Sequence, residues 1–274
     1  MKNWNSTRDF LLSIPQPQKT ETYSPVPHGT FINTIQECLS EKGYNISGER
    51  YLTANDGKIM TGLFTLGNTD FFGVSPSIQF VNSYNKTRRA SVRASGVVLV
   101  CKNGMMGATE HGFYQKKHTG TILEDLRNNI ATVVTGIEIE FERIKTNVTE
   151  MKETKLSSRV ISELVGDMFL NEALIGATQL GILKNELRYS KDFNDGSLWS
   201  FYNNVTEAFK NNHPFLYDKQ HVKFHTYITD KFGLSGSRGL YGDAIYQNGS
   251  EAEVLSFENV FNTPEQNDYT VEFN

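Results

Sequence analysis

The chain has 274 residues, of which 38% are hydrophobic, and a formal net charge of -4. That is enough apolar material for one large core or two modest ones. No run approaches the roughly 20 consecutive apolar residues of a membrane span, and the net charge excludes a uniformly cationic nucleic-acid binder. Met1-Lys2-Asn3-Trp4-Asn5 has no apolar leader, and Cys38 and Cys101 lie far apart, so a cytoplasmic chain with reduced thiols is expected.

Residues 1–28 read as an extended, irregular arm, because Pro15, Pro17, Pro25 and Pro27 disfavour helix. A short helix is expected from about Thr30 to Lys42, with Phe31, Ile32, Ile35, Cys38 and Leu39 on one face and Gly43 as its stop. Asn55-Asp56-Gly57 marks a tight turn between Glu49–Thr53 and Lys58–Leu66, hence a hairpin. Pro76 to Tyr84 reads as a strand with Ile78, Phe80 and Tyr84 on one face, interrupted by Asn82. Ala90 to Cys101, rich in small and β-branched residues, is the next strand, and Asn103-Gly104 suggests a further turn.

After Gly120 the apolar period becomes helical. Ile122, Leu126, Ile130, Val133, Ile137, Phe141, Ile144, Val148 and Met151 form one stripe, which predicts a single helix of about 30 residues, roughly 45 Å long. Such a helix must cross a large sheet or pair with another helix. Further helices are expected after Ser157-Ser158, over Leu174–Leu187, after an Asp195 or Ser197 cap, and over His221–Phe232. The fold class is therefore α+β: an antiparallel sheet in residues 45–105, backed by long helices, with a mainly helical C-terminal half. The expected organisation is an arm (1–28), a core domain (29–238) and an acidic tail (239–274).

Charge is segregated along the chain. Residues 84–120 hold Lys86, Arg88, Arg89, Arg93, Lys102, Lys116 and Lys117 against Glu110 alone, a balance of +6. Residues 239–274 hold Asp243, Glu251, Glu253, Glu258, Glu265, Asp268 and Glu272 and no Lys or Arg, a balance of -7. Such asymmetry points to contact with a polyanion plus an acidic tail, or else to two solvated faces.

Three segments resemble a phage- and plasmid-like family, domain of unknown function 932. They are Leu99-Val100-Cys101-Lys102-Asn103-Gly104-Met105, Lys117-His118-Thr119-Gly120 ahead of the long helix, and Leu198-Trp199-Ser200-Phe201-Tyr202-Asn203-Asn204-Val205-Thr206-Glu207-Ala208. The resemblance implies a mobile-element origin. It implies no chemistry, and the family often carries a basic residue where Val97 or Val98 stands here.

Catalytic and cofactor motifs find little support. There is no phosphate-binding Gly-Lys-Ser/Thr loop and no dinucleotide fingerprint. Cys101, His111 and His118 lack the paired spacing of a zinc site, and no nucleophile elbow occurs. The sequence favours binding over catalysis, with no cofactor and no metal. The candidate nucleic-acid-binding residues are Lys86, Arg88, Arg89, Arg93, Lys102, Lys116, Lys117 and His118, with Tyr84 and Tyr114 as stacking platforms for unpaired bases. The reading is a single-stranded nucleic-acid binder that protects or anneals strands in replication or recombination and acts as a homo-oligomer. The alternative is a non-enzymatic interaction protein, a virion component or an inhibitor of a host defence enzyme, whose acidic tail meets a protein partner.

Overall fold

The computed structural model describes residues 4–67, 71–98, 103–105, 112–212 and 214–237. Seven antiparallel strands make one sheet: β1 (Asn5–Ser6), β2 (Ile46–Ala54), β3 (Ile59–Leu66), β4 (Val74–Ser83), β5 (Ala90–Val98), β6 (Asn103–Met105) and β7 (Phe113–Lys116). The first five follow one another in chain order. β6 and β7 share the outer edge of β5, the former on Gly96–Val98 and the latter on Ala90–Arg93.

The β2–β3 hairpin turns where expected. Asn55, Asp56 and Gly57 all take positive φ (51°, 54° and 82°), a conformation that Asn, Asp and Gly tolerate best. Gly62 on β3 is required for a different reason. A Cβ there would fall 2.1 Å from the ring of Phe80.

Alternation along the strands gives the sheet two unlike faces. Met60 and Phe64 of β3, Ile78 and Phe80 of β4, and Ala90, Val92 and Ala94 of β5 point one way. They pack under α2 (His28–Glu41) and α3 (Ile122–Thr135), whose buried stripes include Phe31, Ile32, Ile35, Leu126, Ile130 and Val133. Each such side chain contributes roughly 1.5–3 kcal/mol by leaving water. Asn82 sits on this face too, where its Nδ2 donates to Val26 O at 2.8 Å and faces His28 Nδ1 at 3.0 Å.

The C-terminal half forms a second apolar cluster from α4 (Ile137–Glu153), α5 (Ser158–Leu170), α6 (Ala177–Tyr189), α7 (Leu198–Phe209) and α8 (Pro214–Phe232), joined to the sheet through Val74 and Val98. α7 is buried on almost every side, its polar residues Ser200, Asn203, Asn204 and Thr206 included. Its start is held by Ser197, whose Oγ accepts from Ser200 N at 3.1 Å, while Asp195 accepts from Ser197 N at 2.9 Å.

Three expectations change. Residues 1–28 are not uniformly irregular: β1 pairs with β2, and α1 (Arg8–Ser13) is capped by Thr7. Asn103-Gly104 lies in β6, paired with Val98 and Val97, and not in a turn. The single long helix is two, meeting at Gly136. Hydrogen bonds still pass through the joint, Gly136 N donating to Val133 O and Gly136 O accepting from Glu140 N, each at 3.0 Å. Glycine is a weak helix former and a common site of bending. The bend lets one stripe serve two cores, the α3 half beneath the sheet and Phe141, Ile144, Val148 and Met151 of α4 in the helical cluster. That stripe is buried within a single chain.

Candidate nucleic-acid interface

The second face of the sheet is polar. Along β4 it presents Ser75, Ser77, Gln79, Val81 and Ser83; along β5, Ser91, Arg93 and Ser95; along β7, Phe113 and Gln115. Ser75, Ser77, Ser83 and Ser95 are buried, and the part of β4 and β5 on this face that borders open space is Gln79, Val81, Ser91 and Arg93. Between this face and α8 runs a groove of about 1560 Å³, larger than the roughly 300–1,000 Å³ of small-molecule pockets.

The two walls differ in charge. The sheet wall, with its loops, carries Lys86, Arg88, Arg89, Arg93 and Lys117 and no acid. The helical wall carries Lys219, Lys223 and Lys231 of α8 beside Asp167, Glu172 and Asp230, a balance of zero. Lys231 pairs with Asp167 at 2.7 Å and Lys223 with Glu172 at 3.8 Å. Lys231, Asn171 and Tyr227 all donate to the Asp167 carboxylate and hold it well below the usual carboxylate range.

Local geometry aims the sheet-wall cations. Ser83 Oγ donates to Arg88 O at 2.9 Å and accepts from Arg88 N at 3.1 Å, clipping the β4–β5 turn closed. Asn85 Oδ1 accepts from Thr87 N at 3.2 Å, and Lys86 takes φ 66°. The Lys86 ammonium sits 4.6 Å from the centre of the Tyr23 ring, and the Arg93 guanidinium 4.1 Å from that of Phe113. Behind Arg93, Glu140 of α4 is buried. Burial raises its pKa to about 7, against the pull of Arg143 and Arg93.

The expected site residues divide. Lys86, Arg88, Arg89, Arg93, Lys117 and His118 all line the groove. Lys116 and Tyr114 do not, because they pair with Ala90 and Val92 and so share the covered face. Lys116 bonds Asp125 of α3, and burial pushes the Tyr114 hydroxyl up to about 12. Tyr84 is 7% exposed and stacked on His28 at 3.9 Å, its hydroxyl accepting from His28 N at 2.7 Å. It is a core residue and offers no platform to a base. Lys102 lies outside the described residues, as do Cys101, His111 and the acidic tail.

His118 is 5% exposed, set edge-on to Tyr23 at 6.0 Å, and its backbone oxygen accepts from Ser24 N at 2.7 Å. Burial holds its imidazole neutral, with a pKa of about 4, despite the raising influence of the Arg88 backbone. Its ring is hydrogen-bonded to the Arg88 backbone. Gln79, 4% exposed, leaves Oε1 unpartnered. An unsatisfied buried acceptor costs about 1–3 kcal/mol.

The sequence reading missed the helical wall. Its signal was present: Lys219, Lys223, Tyr227 and Lys231 recur every fourth residue and so share one helical face. Among the described residues, no group of three or more His, Cys, Asp or Glu converges as a metal site, and no helix is long and apolar enough to cross a membrane.

Sheet, helical cluster and groove together define an α+β protein with a one-sided cationic cleft. The chain belongs to the family described as Domain of unknown function (DUF932), whose profile matches residues 18–229. No curated protein and no solved structure matches it. Of the three family-like segments, the first is described only at 103–105. The second lines the groove with Lys117, His118 and Thr119, and the third is the buried α7, where Asn203 Nδ2 donates to Trp199 O at 2.9 Å and Asn204 Nδ2 to Phe193 O at 3.1 Å. That third segment maintains the fold and stands away from the groove.

Proposed function

We propose that the groove binds single-stranded nucleic acid, and that the protein protects or anneals strands during replication or recombination of a mobile element in a bacterial cytoplasm. The observation that carries this reading is the sheet wall, with five cations and no acid along one continuous surface. Phosphates bind such a surface by releasing counterions, without any reading of sequence. Phe113 supplies aromatic surface beside the cations, the usual partner of a phosphate track in single-strand binding. The mobile-element setting draws on the phage- and plasmid-like character of the family that the three segments resemble.

The test is affinity for labelled oligonucleotides, single- and double-stranded, at low and physiological salt. The proposal expects tighter binding to single strands and a salt slope of about 0.7 log unit per phosphate contact. No binding of single strands at low salt overturns it.

A further inference from the structure

A groove that held only phosphates would need cations and nothing else on its walls. This one also holds a polar atom with nothing to bond. Gln79 lines it, is more than nine-tenths buried, and leaves Oε1 without a hydrogen-bond partner. Buried polar atoms in native proteins nearly always have partners, so an orphan of this kind points to a ligand.

Register places this group beside a flat surface. Gln79 stands across from Leu63 on one side and Arg93 on the other, and Arg93 stands across from Phe113. All four point to the groove face. The Arg93 guanidinium over the Phe113 ring extends the aromatic surface with a second planar group. The row therefore presents an amide with a donor and an acceptor side by side, and next to it a platform for stacking. A nucleobase has both the edge and the face to satisfy them, and adenine pairs especially well with a glutamine amide. A duplex backbone or polyphosphate has neither.

We infer that the strand enters with its bases turned inward onto the sheet, Gln79 bonding a base edge and Phe113 with Arg93 stacking a base, so that unpaired nucleobases and not phosphates alone are the recognised ligand. This inference rests on the single-strand reading of the groove. Gln79 and Phe113 are then specificity-determining residues, while Lys86, Arg88, Arg89 and Lys117 hold the backbone.

The experiment compares oligo-dA with an abasic oligonucleotide of equal length, at several salt concentrations, on the full chain. The wild-type protein should bind oligo-dA roughly tenfold or more tightly than the abasic strand, the size of one stacked base. Gln79→Leu and Phe113→Leu should each lose much of that ratio while keeping the abasic affinity and the salt slope. Thermal melting checks that each is folded, and Phe113, half-buried on a four-residue strand, is the safer of the two. Equal wild-type affinity for oligo-dA and the abasic strand overturns the inference and leaves the groove a backbone binder. Folded variants that both retain the wild-type ratio overturn the assignment of these residues. Failure of the wild-type protein to bind either strand removes the single-strand reading itself.

Discussion

The two faces of the sheet are built from the same strands, yet they are different materials. Along β4, Ile78 and Phe80 lie under α2 and α3, while Gln79 and Val81, one residue away, line the groove. The covered face is aromatic and aliphatic, with Phe64 and Phe80 meeting at 4.8 Å between ring centres. The opposite face is mainly serine, glutamine and arginine, with Val81 and Val97. Both faces are largely buried, but the second opens at Gln79, Val81, Ser91 and Arg93 into the groove that α8 borders.

The sharpest way to break this contrast is to cut one side chain on each face of β4. Phe80→Ala should cost about 3–5 kcal/mol in denaturant unfolding, since it opens a cavity against Gly62, Phe64 and Tyr51. Val81→Ala should cost less than about 2 kcal/mol, because its neighbours on the groove face are polar. Equal losses would mean that the second face is a core as well.

Acid should come next in size. His28 and His118 both have folded pKa values lowered to about 4 by burial, from an ordinary 6.5. The unfolded chain therefore takes up protons first, and stability falls as pH drops from 6.5 towards 4. Each histidine should cost up to roughly 2 kcal/mol between pH 7 and pH 5. Glu140 works the other way. Its folded pKa, raised to about 7, makes the folded state the better proton acceptor between 4.5 and 7, so its contribution is lost as pH rises. Glu140→Gln should steepen the acid loss and stabilise the protein above pH 7, measured as melting temperature across pH. A wild-type profile in that variant would mean that Glu140 ionises as an ordinary carboxylate.

Smaller in stability, and specific to the groove, is the Arg88→Ala, Arg89→Ala double variant. It should change unfolding free energy by no more than about 0.5 kcal/mol and flatten the salt dependence of single-strand binding by about 1.4 log units, two phosphate contacts' worth. An unchanged slope would sever the β4–β5 turn from the ligand.

The smallest effect concerns the acidic tail, whose seven acids oppose the basic stretch in charge. Truncation after Gly249 should leave a folded protein that binds single strands a few-fold more tightly at low salt. Screening should erase the gain as ionic strength rises. A lower melting temperature with no gain in affinity would make the tail structural.

Much of the fold was legible in the residues. Asn55-Asp56-Gly57 announced its hairpin because φ > 0 leaves few other choices, and Asp195 or Ser197 announced α7 because a free helix end needs an acceptor, Ser197 being the cap. The break at Gly136 was hidden, since a bend that keeps the hydrogen-bond ladder also keeps the apolar period. Of the candidate site, the cations of the β4–β5 turn were legible as a cluster, but the expected stacking residues Tyr84 and Tyr114 lie on the covered side and Phe113 lines the groove. An aromatic ring reads the same in a core and in a groove.

Local chemistry along the chain was thus sufficient for the α+β class, the hairpin, most helix positions and the segregation of charge, because turns, caps and periodicity act between residues close in sequence. Tertiary structure alone decided which face of the sheet α2 and α3 would cover. It thereby placed Phe113, Gln115 and Lys117 in the groove and Tyr114 and Lys116 against α3, and brought α8 across from them. Alternation divides a strand into two sides, but only packing between elements distant in sequence says which side meets water.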